Sequence, residues 1–330
     1  MKMSGIILSS SVRQNLLSLQ STADLLSTTQ NRLATGKKVN TALDNPTNFF
    51  TAQSLDNRAS DINNLLDGIG NGVQVLQAAN TGITSLQKLV DTAKSIANQV
   101  LQSPTGYTTR STVSSAAALG GTAANLVDGA TIKSGDTLAI AASAGQPAFT
   151  FTFGASTSLA QLNTSLSASN LTASLDSSNK LVITTTNDAA SSTIGAVTYT
   201  GTGTATFGAA TAPVADAASQ SARAALVTQY NNTISQITTT AQDSSFNGIN
   251  LLSGDSLKLT FNETGKSTLS ITGVKFDAAG LGLKSLAAGT DFLDNNSANN
   301  VIASLSTASS SLRSEASTLG RSEEHTSELQ

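Results

Sequence analysis

Residues 11–38 read SVRQNLLSLQSTADLLSTTQNRLATGKK, and their spacing decides the fold. Val12, Leu16, Leu19, Ala23, Leu26, Gln30 and Leu33 recur in alternating steps of four and three, the spacing of a coiled-coil seam with one polar interruption. Gly36 stops the predicted helix at its C′ position, and Lys37 and Lys38 follow beside the negative end of its dipole. Asp44-Asn45-Pro46 then opens a second helix. Asn45 can cap it, and Pro46 fits the first turn, where its missing N–H costs nothing.

Working outward, the second helix repeats the four-three step at Leu55, Ala59, Ile62, Leu66, Ile69, Val73, Leu76, Asn80 and Ile83, and continues less regularly to Val100 and Leu101. Gly68, Gly70, Gly72 and Gly82 lie inside it, each costing up to ~1 kcal/mol against Ala. A helix so weakened depends on neighbours for stability. Helical spacing returns near the other end of the chain. Ala222, Leu226, Tyr230, Ile234 and Ile237 form one stripe, and Ala298, Ile302, Leu305, Ser309, Leu312, Ala316 and Leu319 form another. Between these two stripes, a small β segment is predicted at Leu257–Phe261 and Leu269–Phe276.

The middle of the chain changes period. Thr137–Ile140, Phe149–Phe153, Leu171–Leu175 and Leu181–Thr185 alternate with period two, and Asp176–Lys180 is a turn segment between the last two. Leu159–Leu166 reads as a short helix, and the Ala, Gly and Thr runs at Ala116–Ala124 and Gly201–Ala210 read as loops. The expected fold is α+β: a long helical bundle or coiled coil from both termini, with an inserted β-rich outer domain. Its expected divisions are residues 1–103, helical; 104–215, the insert; 216–320, helical with a small β segment; and 321–330, a foreign tail.

Composition narrows the function. Charged residues make up 12% of the chain, about half the globular norm of ~25%. Aromatic residues make up 4% and there is no Trp, so few large side chains are available for one deep core. The near-neutral charge, without basic clusters, argues against nucleic acid and anionic membranes as partners. The chain has no cysteine, as suits passage through an oxidising space. The start, Met1 to Ser10, lacks the long apolar region of a secretory signal peptide, which hints at export by another route.

The residues for common catalytic chemistries are missing. Cysteine is absent and the only histidine is His325, which excludes a thiolate nucleophile and, outside the tail, a Ser-His-Asp triad or a His/Cys zinc site. No phosphate-binding glycine motif is present. Asp128 and Asp136 fall in predicted loops, where a solvated turn is the expected role. No catalytic residue, metal or cofactor is expected.

Arg321–Gln330 reads, letter for letter, as one frame of a common sequencing adapter and is expected to be foreign. On that reading His325 leaves with it, and Leu319-Gly320 interrupts an apolar helical pattern rather than completing it.

Two motifs carry a family resemblance. Leu33-Ala34-Thr35-Gly36-Lys37-Lys38-Val39-Asn40-Thr41-Ala42 resembles the N-terminal signature of bacterial flagellins, with Gly36 and Asn40 at its marker positions. Phe246-Asn247-Gly248-Ile249-Asn250-Leu251-Leu252 resembles the Phe-Asn-Gly…Leu-Leu element of their C-terminal half. The chain departs from the usual pattern after Asp44, where Asn45-Pro46-Thr47-Asn48-Phe49-Phe50 resembles a sub-lineage variant.

The resemblance implies a structural subunit of the flagellar filament that serves swimming motility. Such a subunit is secreted unfolded through the flagellum's own channel and added to a homopolymer of identical subunits in the extracellular filament. Its implied partners are the export apparatus, an export chaperone and the filament cap, and its final helix, the mate of the N-terminal one, is expected to be missing here. The resemblance assigns Val12, Leu16, Leu19, Ala23, Leu26 and Leu33 to the inner helical layer. It assigns Leu55, Ile62, Leu66, Ile69, Val73, Leu76, Ile83, Leu226, Ile234, Ile237, Leu305 and Leu312 to the bundle core. A hook–filament junction protein of the same family is the alternative, and a flagellin with a metalloprotease insert would need an HExxH that the middle zone lacks. Weak recognition by the animal flagellin receptor is also expected. In strongly detected members the matching helix reads Leu-Gln-Arg-x-Arg-Glu-Leu, where this chain has Leu86-Gln87-Lys88-Leu89-Val90-Asp91-Thr92.

Overall fold

The structure is a computed structural model that describes residues 9–328. Residues 1–8, which hold most of the start that lacks a signal-peptide apolar region, and Leu329-Gln330 lie outside the described residues. The architecture is α+β, with long helices toward both ends and a β-rich middle. The chain forms two compact units: residues up to Gly70 with Leu259–Leu269, and Asn71–Lys258 with the residues from Ser270 on.

Helix α1 (Ser10–Thr35) begins where the Ser9 hydroxyl accepts the Val12 N–H, and ends at Gly36 in the left-handed conformation, φ 66°. Helix α2 (Pro46–Gln102) runs for 57 residues. Asn45 Oδ1 accepts the Asn48 N–H at 3.0 Å, so the cap and the first-turn proline stand where the sequence places them.

In the second unit α2 packs with α4 (Ala217–Asp243) and α5 (Asn295–Glu328). Arg223, near the start of α4, reaches the Val100 carbonyl at 3.0 Å, while Gly82 lies against Ser244 just past the end of α4. Those contacts make the two helices antiparallel. Lys94 donates from Nζ to Ser306 Oγ at 3.1 Å, tying α5 to the same helix. α5 includes Arg321–Glu328, and Thr326 within that stretch is fully buried.

The buried column of α2 keeps the predicted alternation but takes the opposite phase. Ile69, Gly72, Leu76, Ala79, Ile83, Leu86, Val90, Ala93, Ala97 and Val100 are buried, whereas Val73 is half-buried and Asn80 exposed. The two phases share Ile69, Leu76 and Ile83, and packing selects small Gly72 and Ala79 over the polar Asn80. Beside that column Gly82 is also closely packed: a Cβ there would stand 2.6 Å from Ser244 Cβ and 2.7 Å from Leu252 Cδ1. On α4 the stripe is also corrected. Arg223 and Val227 are buried while Ala222 is exposed and Leu226 half-buried, because repeated steps of four drift off the face that steps of four and three keep.

Between α2 and α4 the outermost strands, β1 (Tyr107–Thr109) and β8 (Val214–Ala215), pair antiparallel. One sheet orders β2 (Thr112–Ser114), β6 (Leu181–Thr185) and β5 (Leu171–Leu175); the other orders β4 (Phe149–Thr152), β3 (Thr137–Ile140) and β7 (Val197–Thr200). Leu138 faces Phe151 on one side and Tyr199 on the other. Alternate residues enter a common core that includes Leu138, Ile140, Phe153, Leu181 and Ile183. Helix α3 (Leu159–Leu166) starts with a Ser158–Gln161 capping box and adds Leu162 and Leu166 to that core. Strands β9 (Ser256–Thr260) and β10 (Thr268–Thr272) form a separate hairpin.

Candidate assembly surface

Helix α1 contains no buried residue. Its apolar stripe, interrupted only at Gln30, lies open along its length: Val12 is 43% exposed, Leu16 61%, Leu19 69%, Leu26 58% and Leu33 85%, and Ala23 is exposed between them. The first half of α2 behaves likewise. Leu55, Ile62 and Leu66 are exposed in the single chain, unlike Ile69, Leu76 and Ile83 farther along, which are buried. The bundle-core expectation therefore stops at Ile69 within one chain, because upstream of it the stripe has no apolar cover. Burying a Leu gains roughly 1.5–3 kcal/mol, so these residues represent a large unrealised gain.

The signature that follows α1 is a local hydrogen-bonded turn. Thr35 Oγ1 donates to Asn40 Oδ1 at 2.8 Å, and Asp44 Oδ2 accepts the N–H groups of Asn40 (3.0 Å) and Thr41 (3.1 Å). The backbone N–H of Asn40, then that of Thr41, hold the Asp44 carboxyl below its ordinary value. Gly36 and Asn40 thus set how the chain turns from α1 into α2. In the same unit Arg58 forms a two-pronged ion pair with Glu263, at 3.0 and 3.1 Å.

The second motif is a two-residue hairpin turn. Phe246 and Ile249 exchange both backbone hydrogen bonds at 3.0 Å, with Asn247 at φ 49° and Gly248 at φ 81° between them. Positive φ at both central positions is what a type I′ turn requires and what Asn-Gly supplies. Directly after it, Asn250 Nδ2 donates to the Ala241 and Gln242 carbonyls at 2.8 Å each, satisfying the open end of α4. Leu251 and Leu252 are buried. Ile234, Ile237, Leu305 and Leu312 are buried in the same unit.

Two residues outside both motifs shape this unit. Arg223 is fully buried and donates to four carbonyls: Pro104 at 2.7 Å, Phe292 at 2.6 Å, and Val100 and Ser103 at 3.0 Å each. The guanidinium therefore serves as the C-terminal cap of α2. Burial lowers its pKa, against a smaller upward pull from Asp294. Phe292 sits at φ 60°, unusual for a bulky side chain, and packs edge-on to Tyr230 at 5.9 Å. A charged residue in an apolar helical stripe reads from sequence as solvated, so periodicity gave no sign of Arg223; only the helix end it caps could have.

Asp128 and Asp136 do sit in turns, as expected, but neither is simply solvated. Asp128 accepts the N–H groups of Ala130, Thr131 and Ile132. Asp136 is almost fully buried and accepts from Lys133, Tyr199, Thr202 and Gly203. Both acids thereby pin loops of the β-rich region. Among the described residues, no group of three acidic, histidine or cysteine side chains could hold a metal, and no helix is long and apolar enough to cross a membrane.

No curated protein matches the chain. Residues 7–119 match the family model of the bacterial flagellin N-terminal helical region, a structural family rather than an enzymatic one. That region contains α1, the Gly36–Asn40 signature and all of α2, and the match supports a flagellin-family protein, a structural filament subunit.

Proposed function

We propose that this chain polymerises with identical copies into the bacterial flagellar filament and serves swimming motility. The observation that carries the reading is α1: a long coiled-coil stripe that remains exposed in the single chain. A helix of this length is marginal alone in water, and association supplies the burial it lacks. In the filament Val12, Leu16, Leu19, Ala23, Leu26 and Leu33 form the inner helical layer. Residues 104–215 form an outer domain that assembly can lose. Export through the flagellar channel, with a chaperone and a cap, belongs to the same reading, as does an extracellular location.

Weak recognition by the flagellin receptor belongs to it too. Leu86 and Val90 are buried, so the face a receptor could meet carries Lys88, Asp91 and Thr92. A receptor reporter assay should find lower potency than for a flagellin with two arginines on this helix; equal potency would contradict it.

We read Arg321–Gln330 as adapter-derived, so polymerisation is tested on the chain with a flagellin C-terminal helix in its place. Electron microscopy should show regular filaments from that protein and none from its Leu16→Glu/Leu26→Glu variant, with the circular dichroism of the rest of the chain unchanged. Filaments of normal length from the double variant would overturn the assignment of the seam.

A further inference from the structure

The chain contains two Asn-Gly pairs, Asn71-Gly72 and Asn247-Gly248, and the fold treats them differently. Both asparagine side chains are exposed. Gly72 lies inside α2, where its N–H belongs to the helical hydrogen-bond ladder. Gly248 lies at the tip of the type I′ turn, exposed, and among the described residues its N–H meets no acceptor. A glycine after asparagine leaves its backbone nitrogen unhindered by a Cβ, so that nitrogen can approach the neighbouring side-chain amide.

We propose that Asn247 is a site of spontaneous backbone modification in the folded protein. The Gly248 nitrogen attacks Asn247 Cγ, and an N–Cγ bond forms. The Cγ–Nδ2 bond breaks, and ammonia leaves with the proton that the glycine nitrogen gives up. Water then opens the succinimide at either carbonyl, leaving aspartate or isoaspartate at position 247. The turn must swing one peptide to reach the attacking geometry, but it breaks no hydrogen bond of Gly248 in doing so. At Gly72 the same attack first requires α2 to open.

Isoaspartate adds a methylene to the main chain between Phe246 and Ile249. The two-residue turn no longer matches their paired hydrogen bonds. Leu252, which packs against Gly82 a few residues on, loses its fixed position. The modification therefore weakens the packing of α2 against the segment that follows α4.

The test incubates the purified full chain at mildly alkaline pH, once folded and once in denaturant. Each position is then read by peptide mass spectrometry and enzymatic isoaspartyl methylation. In denaturant both asparagines should convert at similar rates. In the folded chain Asn247 should convert about tenfold faster than Asn71 or more, since conversion at Gly72 waits on local opening of the helix. Asn247→Gln should remove the signal at the turn and leave Asn71 as it was. Equal rates at the two positions in the folded chain would overturn the proposal. So would an Asn247 that stays intact when folded while converting in denaturant.

Discussion

Arg223 holds four carbonyls: Val100 at the end of α2, Ser103 and Pro104 beyond it, and Phe292 on the approach to α5. Removing its guanidinium strands those acceptors in a buried place, and each stranded buried group costs about 1–3 kcal/mol. Arg223→Met, which keeps the length and loses the donors, should therefore destabilise the protein by at least ~3 kcal/mol in denaturant unfolding. A loss below ~1 kcal/mol would mean that water replaces the guanidinium. Asn250→Ala should cost less, about 1–2 kcal/mol, because it frees two helix-end carbonyls and the Leu252 N–H with no charged donor lost. Neither role was legible in the sequence. Periodicity reports apolar faces, whereas both side chains act through the geometry of a helix end. The Asn247-Gly248 turn was legible as a motif, because its chemistry is local: two consecutive positive φ angles suit few other residue pairs.

At the scale of elements, glycines separate packing from propensity. Gly82→Ala gains helix propensity but drives a Cβ into Ser244 and Leu252, so overpacking of about 1–3 kcal/mol should outweigh the gain. Gly70→Ala meets nothing within 4 Å and should stabilise by up to ~1 kcal/mol. Thermal unfolding of the two variants should shift in opposite directions, and a shift of the same sign would show that the α2 contact at Gly82 yields easily.

Acid acts on the β-rich region. Burial raises the pKa of Asp128, but the Thr131 hydroxyl and three backbone N–H groups together outweigh it and hold the carboxyl down at about 2. Because its folded value is depressed, its contribution is present above the ordinary value of 3.8 and is lost as pH falls toward about 2. The Tyr199 hydroxyl leads the causes that lower Asp136, which adds loss in the same direction. Near-ultraviolet circular dichroism should show weaker acid unfolding in Asp128→Asn, which lacks the titrating group, than in the parent.

Strands β3 to β6 and helix α3 were readable from the spacing of their apolar residues, since each buries one regular face. β2 and β7 were not. One has only three residues, and the other places its alternate side chains partly in solvent. The phase of α2 also escaped, because Ile69, Leu76 and Ile83 fit both phases and only the partner helices choose between Ala79 and Asn80.

At the scale of the whole molecule, the β-rich region has its own core, and its first and last strands pair with each other. On the proposed function, deleting Thr105–Ala212 from the chain that carries a flagellin C-terminal helix in place of Arg321–Gln330 should leave filaments that are thinner but still formed, as judged by electron microscopy. Loss of all filaments would show that this region takes part in the polymer's inner contacts.

The central claim is that the stripe of α1 is an assembly surface awaiting burial, and amide hydrogen exchange across Ser10–Thr35 tests it most directly. In the unassembled chain these amides should exchange within the fastest class, since α1 buries none of its residues. In filaments of the protein carrying a flagellin C-terminal helix in place of Arg321–Gln330, they should rank among the slowest. Slow exchange in the unassembled chain, or exchange that stays fast after polymerisation, would contradict the account.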